Sequence, residues 1–291
     1  MHESFPQPIE KPRSELPIEQ APTEQEIELA AKSEKNETSV MFERLRDPYI
    51  KKQLADHIEN AYQQYETEGH TERRWKVGED GKDAFESDGS HVIEEVPYKA
   101  PSREDIVQKI DSFVEDAQKG EMIDDGDGKP NIDGVHRRFV FPRTGRVFSS
   151  KELSIIEAHE RGHQVRHFTK KEIAPYFYAL FGDVVDINKI EYSRETFEKE
   201  KTLFSEGTTY EQALEHAHEY FGDPDEIVER MSQLKNYFGM KPKEIFTKAH
   251  LDYARKHYAQ EEHDNMMTEF FMMITPEKEK RFLEVMNSVG V

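Results

Sequence analysis

The run SSKELSIIEAHERGHQVRHF, residues 149–168, leaves few folding options. It contains no proline and a single glycine, Gly162. Ser149 followed three residues later by Glu152 is a capping-box start. A helix is predicted, and inside it stands His159-Glu160-Arg161-Gly162-His163, an H-E-x-x-H motif. Two residues four apart lie about 40° from each other around a helix, so both imidazoles can reach one ion. Glu160 lies about 60° beyond His163, where a carboxylate can take a proton from a water that the ion activates. The alternative is a surface helix with His at i and i+4 and no ion.

Composition narrows the ligand chemistry. The chain has 291 residues, 60 acidic against 40 basic, and no cysteine. A disulfide framework, zinc ribbons and thiol catalysis are therefore excluded, and a metal site has to use His and carboxylates. The net charge of −20 argues against nucleic acid or an anionic membrane surface as partner. No apolar run is long enough for a membrane span. The first twenty residues lack an apolar signal region, so a soluble, cytoplasmic protein is expected.

Hydrophobic residues are only 35% of the chain and charged residues 34%, so part of it is expected to stay outside any core. Residues 1–38, rich in Pro, Glu, Gln, Ser and Lys, read as a disordered tail with a nascent helix near Glu24–Lys32. Residues 39–100 read as an N-terminal helical and loop region. Helical spacing runs from Val40 to Glu68 with a break at Pro48, and one or two short strands are expected around Trp75 and Val92–Val96. Residues 101–291 form the third unit. It begins with a helix from Ser102, its N-cap, to Lys119. Asp124–Gly134 glances at a calcium loop but puts Pro130 where the loop needs glycine, so a solvated turn is expected. Val135–Phe141 alternates as a strand does. Amphipathic helices are predicted over Ser150–Phe168, Thr208–Phe221, Pro224–Phe238, Thr247–Glu262 and Pro276–Ser288.

HERGH, with Ile155 and Ile156 a turn upstream, resembles the active-site helix of zincin metallopeptidases, and Gly162 before the second His resembles compact gluzincins. The resemblance implies an α+β fold, predominantly helical, with a small sheet packed on the active-site helix and Val135–Phe141 as one of its strands. It implies a zinc-dependent peptidase acting on a peptide or protein substrate, with Zn2+ held by His159 and His163 and Glu160 as general base. It also implies a third ligand from a later helix, because a catalytic zinc takes three protein ligands and leaves a position open. Glu226 aligns with that ligand position, on the helix Pro224–Phe238.

By helical angle Glu226 flanks the stripe Ile227, Met231, Leu234, Phe238, whereas Glu229 points away from it, into solvent. A capping role for Glu226, behind Asp223 as N-cap and Pro224 at N1, is the competing reading. Glu206, Glu211, Glu219 and Glu269 are further candidates, and His167 could extend the same helical face. His216 and His218, two apart, diverge too far to share an ion. His218, Tyr237, His250 and Tyr253 are candidates for oxyanion support. Met266, Met267, Phe270, Phe271, Met272 and Met273 read as core packing or a protein contact. Two other classes stay open: a helical interaction protein in which HERGH is incidental, and a regulatory module that keeps the fold without turnover.

Overall fold

The computed structural model describes residues 22–77, 84–85, 90–119, 150–166, 172–190, 194, 197–198, 207–261 and 266–291. The expected calcium-like turn, the strand at Val135–Phe141, Ser149, His167 and Glu206 lie outside them. Among the described residues the chain is mostly helical with one small antiparallel sheet. None of these helices is long and apolar enough to cross a membrane.

Among the described residues three helices come first: α1 (Glu24–Lys32), α2 (Glu37–Arg46) and α3 (Pro48–Thr67). The helix expected near Glu24–Lys32 is α1, and residues 22–38 are ordered with it where a disordered tail was expected. Thr23 and Glu26 close a capping box on α1, and the helix buries Ile27 and Ala31. A stretch with so few apolar residues still orders because the two it buries fall on one face and the cap meets its free N–H groups. The break expected at Pro48 is a shared joint. Asp47 ends α2, and its carboxylate accepts from the Tyr49 N–H (2.7 Å) to start α3, with Pro48 in its first turn.

The sheet is a hairpin of β1 (Thr71–Trp75) and β2 (Ile93–Pro97), registered from Thr71 opposite Pro97 to Trp75 opposite Ile93. It meets the helices at its root, where the Tyr98 N–H donates to the His70 carbonyl (2.9 Å) and Tyr98 stacks on Tyr62. Next comes α4 (Arg103–Lys119), whose Asp105 N–H donates to the Ser102 hydroxyl at 3.2 Å, as the N-cap reading requires.

The helix with the His pair is α5 (Ser150–Arg166), followed by α6 (Ala174–Gly182), α7 (Tyr210–Gly222), α8 (Pro224–Tyr237), α9 (Lys248–Glu261), α10 (Met266–Met273) and α11 (Pro276–Met286). Among the described residues α5 packs chiefly on α2, α4 and α8, so its main neighbours are helices and not the hairpin. α8 also meets α2, α6 and α7. From Ile227 to Tyr237 every residue of α8 is buried, which makes it the axis of the core. Ile227, Val228, Met231 and Leu234 are fully buried, each contributing about 1.5–3 kcal/mol by leaving water.

The same core cluster runs from Ile27 to Val291. The division expected at residue 100 is thus not visible in the packing. α2 shows why: the Glu37 N–H donates to the Ser154 hydroxyl of α5 (2.9 Å), and Arg44 donates to Asn236 (2.5 Å) and Ser232 (3.1 Å) of α8. Met267, Phe270, Phe271 and Met273 are buried, as their packing reading expects, while Met272 is 37% exposed.

Candidate metal centre

α7 and α8 meet at one residue. Asp223 ends α7, and its carboxylate accepts from the Asp225 N–H (2.9 Å) to cap α8. The cap is therefore supplied by Asp223, and Glu226 in the first turn of α8 is free to face α5. Its Oε2 lies 3.2 Å from His159 Nε2 and its Oε1 lies 3.3 Å from His163 Nε2. The two Nε2 atoms are 3.2 Å apart. The side chains are 10%, 20% and 16% exposed for His159, His163 and Glu226, so the cluster is sheltered but reachable.

The charges around it are arranged for a cation. Asp225 Oδ2 is 3.1 Å from His163 Nδ1, and Asp225 Oδ1 accepts from the Tyr178 hydroxyl (2.8 Å). The contact is an ion pair without hydrogen-bond geometry, so Asp225 acts on the ring through its charge. Burial works to lower the His163 pKa, but the contacts with Asp225 and Glu226 outweigh it and push it up to about 11. Burial likewise opposes ionisation of Glu226, and the two imidazoles override it, holding the carboxyl well below the usual carboxylate range.

Zinc fits this donor set. Ligands about 2.0–2.1 Å from a tetrahedral ion lie about 3.3 Å from one another, close to the three separations found here. Glu226 Oε2 is also buried without a hydrogen-bond partner, which an ion would supply.

Beneath the cluster, Arg166 of α5 and Glu229 of α8 form an ion pair, both side chains fully buried. Glu229 is therefore not in solvent, as the helical-angle argument expected. That argument assumes a helix with one wet face, and α8 has none beyond its first turn. The pair also explains Gly162: a Cβ there would collide with the Glu229 carboxylate and touch Arg166. Gly162→Ala should force α5 and α8 apart, at about 1–3 kcal/mol by the usual cost of overpacking. A lower urea midpoint together with weaker zinc uptake would check it.

On the open side, Arg230 Nη2 donates to the Tyr220 hydroxyl (3.1 Å) and sits 3.8 Å from Glu226 Oε2. Glu160, half-buried, follows His159 on α5. His218 is half-buried on α7 and joins no candidate ligand group among the described residues; His216 and Glu219 are exposed and face each other at 3.5 Å. Glu211 is exposed and pairs with Arg194. Glu269 belongs to no candidate ligand group among the described residues. Tyr237, at the far end of α8, is roughly 16 Å along the helix from Glu226, and His250 and Tyr253 pack at that end through Phe238. These three do not reach the cluster. Asp225, Tyr178, Tyr220 and Arg230 were not singled out by sequence reasoning. For Asp225 the signal was present, because a carboxylate beside Glu226 in the first helical turn has to share its surroundings.

Comparison of the chain with protein-family models, with curated proteins and with solved structures gave no match. The reading of this centre therefore rests on its own chemistry.

Proposed function

We propose that the protein is a zinc-dependent metallopeptidase of gluzincin type, a cytoplasmic hydrolase of peptides or proteins, with His159, His163 and Glu226 as its metal ligands. The observation that carries this reading is the convergence of two imidazole nitrogens and one carboxylate, from two helices distant in sequence, at 3.2–3.3 Å separations. Zinc bound there would supply a Lewis acid that lowers the pKa of water toward about 7 and polarises a carbonyl. Glu160 accepts the proton of the attacking water and delivers it to the leaving amine. Asp225 holds the His163 ring, and Tyr178 holds Asp225. Arg166 and Glu229 fix the spacing of the two helices.

The purified protein is expected to contain close to one equivalent of zinc by elemental analysis. His159→Ala, His163→Ala and Glu226→Ala should each lose most of it, since two protein ligands hold zinc poorly. A wild-type protein prepared without chelator that cannot take up zinc would overturn the reading. If Glu226→Ala alone kept wild-type affinity while losing only the ~1 kcal/mol of a helix cap, Glu226 would not be the third ligand.

A further inference from the structure

The hairpin of β1 and β2 has two unlike faces. Side chains alternate along each strand, and residues opposite each other across an antiparallel pair share a face. Glu72 lines a cleft with Ile58 and Tyr62 of α3 and Ile106 of α4, so its face turns toward the helices. Arg73 and Trp75 therefore look outward, together with Glu95 and Ile93, their partners in register. Trp75 is 57% exposed and Ile93 51%, and Val77 and Phe85, toward the far end of the hairpin, are each 57% exposed. Trp75 stacks on His91 with the ring centroids 4.0 Å apart, and Phe85 lies 4.4 Å from the same ring. Of the eight large hydrophobic side chains exposed among the described residues, four are these. A lone exposed apolar residue needs no explanation, but four gathered on one hairpin mark a contact surface.

The charges on this face decide what covers it. On the inner face Arg74 and Glu94 stand opposite each other and pair at 2.9 Å. On the outer face Arg73 and Glu95 also stand opposite each other, both exposed, yet neither enters an ion pair among the described residues. One guanidinium and one carboxylate leave the patch locally neutral on a chain of net charge −20. A partner of a single charge sign would leave one of the two without a counter-charge. We propose that this face is a two-fold interface with a second copy of the same chain, an inference independent of the metallopeptidase reading. An axis that runs along the strands, midway between them and above the outer face, lays β1 of each copy over β2 of the other. Each Arg73 then meets Glu95 of the second copy and each Trp75 meets Ile93, so two ion pairs flank an apolar centre. Such a self-complementary patch is what a closed dimer requires. Four half-exposed apolar side chains on each copy put the contact at the small end of specific interfaces, below about 1,200 Å², so concentration should govern it.

Trp75 is the only tryptophan, so its fluorescence reports this face alone. The full chain is followed by sedimentation velocity and by tryptophan emission from low to high micromolar concentration. The salt is held at about 0.15 M, where repulsion between two acidic chains is screened beyond about 8 Å. Dimer should appear as concentration rises, and the emission should move to shorter wavelength with it. Arg73→Glu and Glu95→Arg each set like charges against each other across the axis, and each should weaken dimerisation about tenfold or more. Mixed in equal amounts, the two variants restore opposite charges at both contacts, and the mixture should dimerise as the wild type does. Ile93→Lys keeps the reporter and should hold the protein monomeric. A wild type that stays monomeric throughout would overturn the proposal, whether Trp75 emits as an exposed ring or as one covered by its own chain. A dimer that both charge variants form as well as the wild type lies elsewhere on the molecule, and that result would overturn it too. So would a mixture no better associated than its two components.

Discussion

Glu160→Gln is expected to retain its zinc and its melting temperature and to lose peptide hydrolysis by about 10²–10⁴-fold, the range that a positioned acid–base group contributes. The amide keeps the shape of the side chain but cannot accept a proton at neutral pH. Glu160 follows His159 on α5, half-buried, and makes no hydrogen bond or ion pair among the described residues. Nothing in the described packing therefore depends on its charge, and the substitution should separate chemistry from stability. The measurement is kcat on labelled casein beside elemental analysis of the same preparation. Normal turnover in a zinc-loaded variant would remove Glu160 from the mechanism. Loss of zinc together with activity would make it a ligand instead.

Glu229→Ala should be the most destabilising single substitution near the site. It leaves the fully buried Arg166 guanidinium without its counter-charge, and breaking such a pair costs about 3–5 kcal/mol. Against a total stability of about 5–15 kcal/mol, the urea midpoint should fall sharply and zinc affinity should fall with it. Replacing both partners, Glu229→Leu with Arg166→Met, removes the orphaned charge and should restore much of the midpoint. If the single variant unfolds at the wild-type urea concentration, the pair carries no structural weight.

Glu229 also marks where sequence reading stopped. The facing of His159 and His163 was legible because an α-helix has a fixed angular step, and four residues of it bring two side chains onto one face. Glu226 was legible for a related reason: it flanks the apolar stripe of α8, and in the structure it faces the imidazoles. Glu229 was misread because angle alone cannot say how many faces of a helix are covered. The polar residues of α8 are met by groups remote in sequence. Arg44 reaches Ser232 and Asn236, Tyr258 accepts from Gln233, and the carbonyls of Met286 and Val291 accept from Lys235. No local pattern announces such partners. The helix α1 was legible over Glu24–Lys32, but its packing into the core was not, since composition averages over a segment in which Ile27 and Ala31 alone are buried. The break at Pro48 and the cap at Ser102 were readable because caps and prolines act within a few residues.

The ligand cluster is built between elements of unequal freedom. α5 and α8 are locked by the Arg166–Glu229 pair seated against Gly162, and α8 has no wet face past its first turn along which to fray. α7 is tied to α8 through Asp223 and through Arg230, which donates to the Tyr220 hydroxyl, and keeps an outward face that includes Tyr220. The cluster thus has a buried wall, α5 and α8, bearing the three candidate ligands, and a partly exposed edge, the last turn of α7, bearing the phenol. Access to the three groups is therefore set by the exposed edge and their spacing by the buried wall, two properties that reside in different helices.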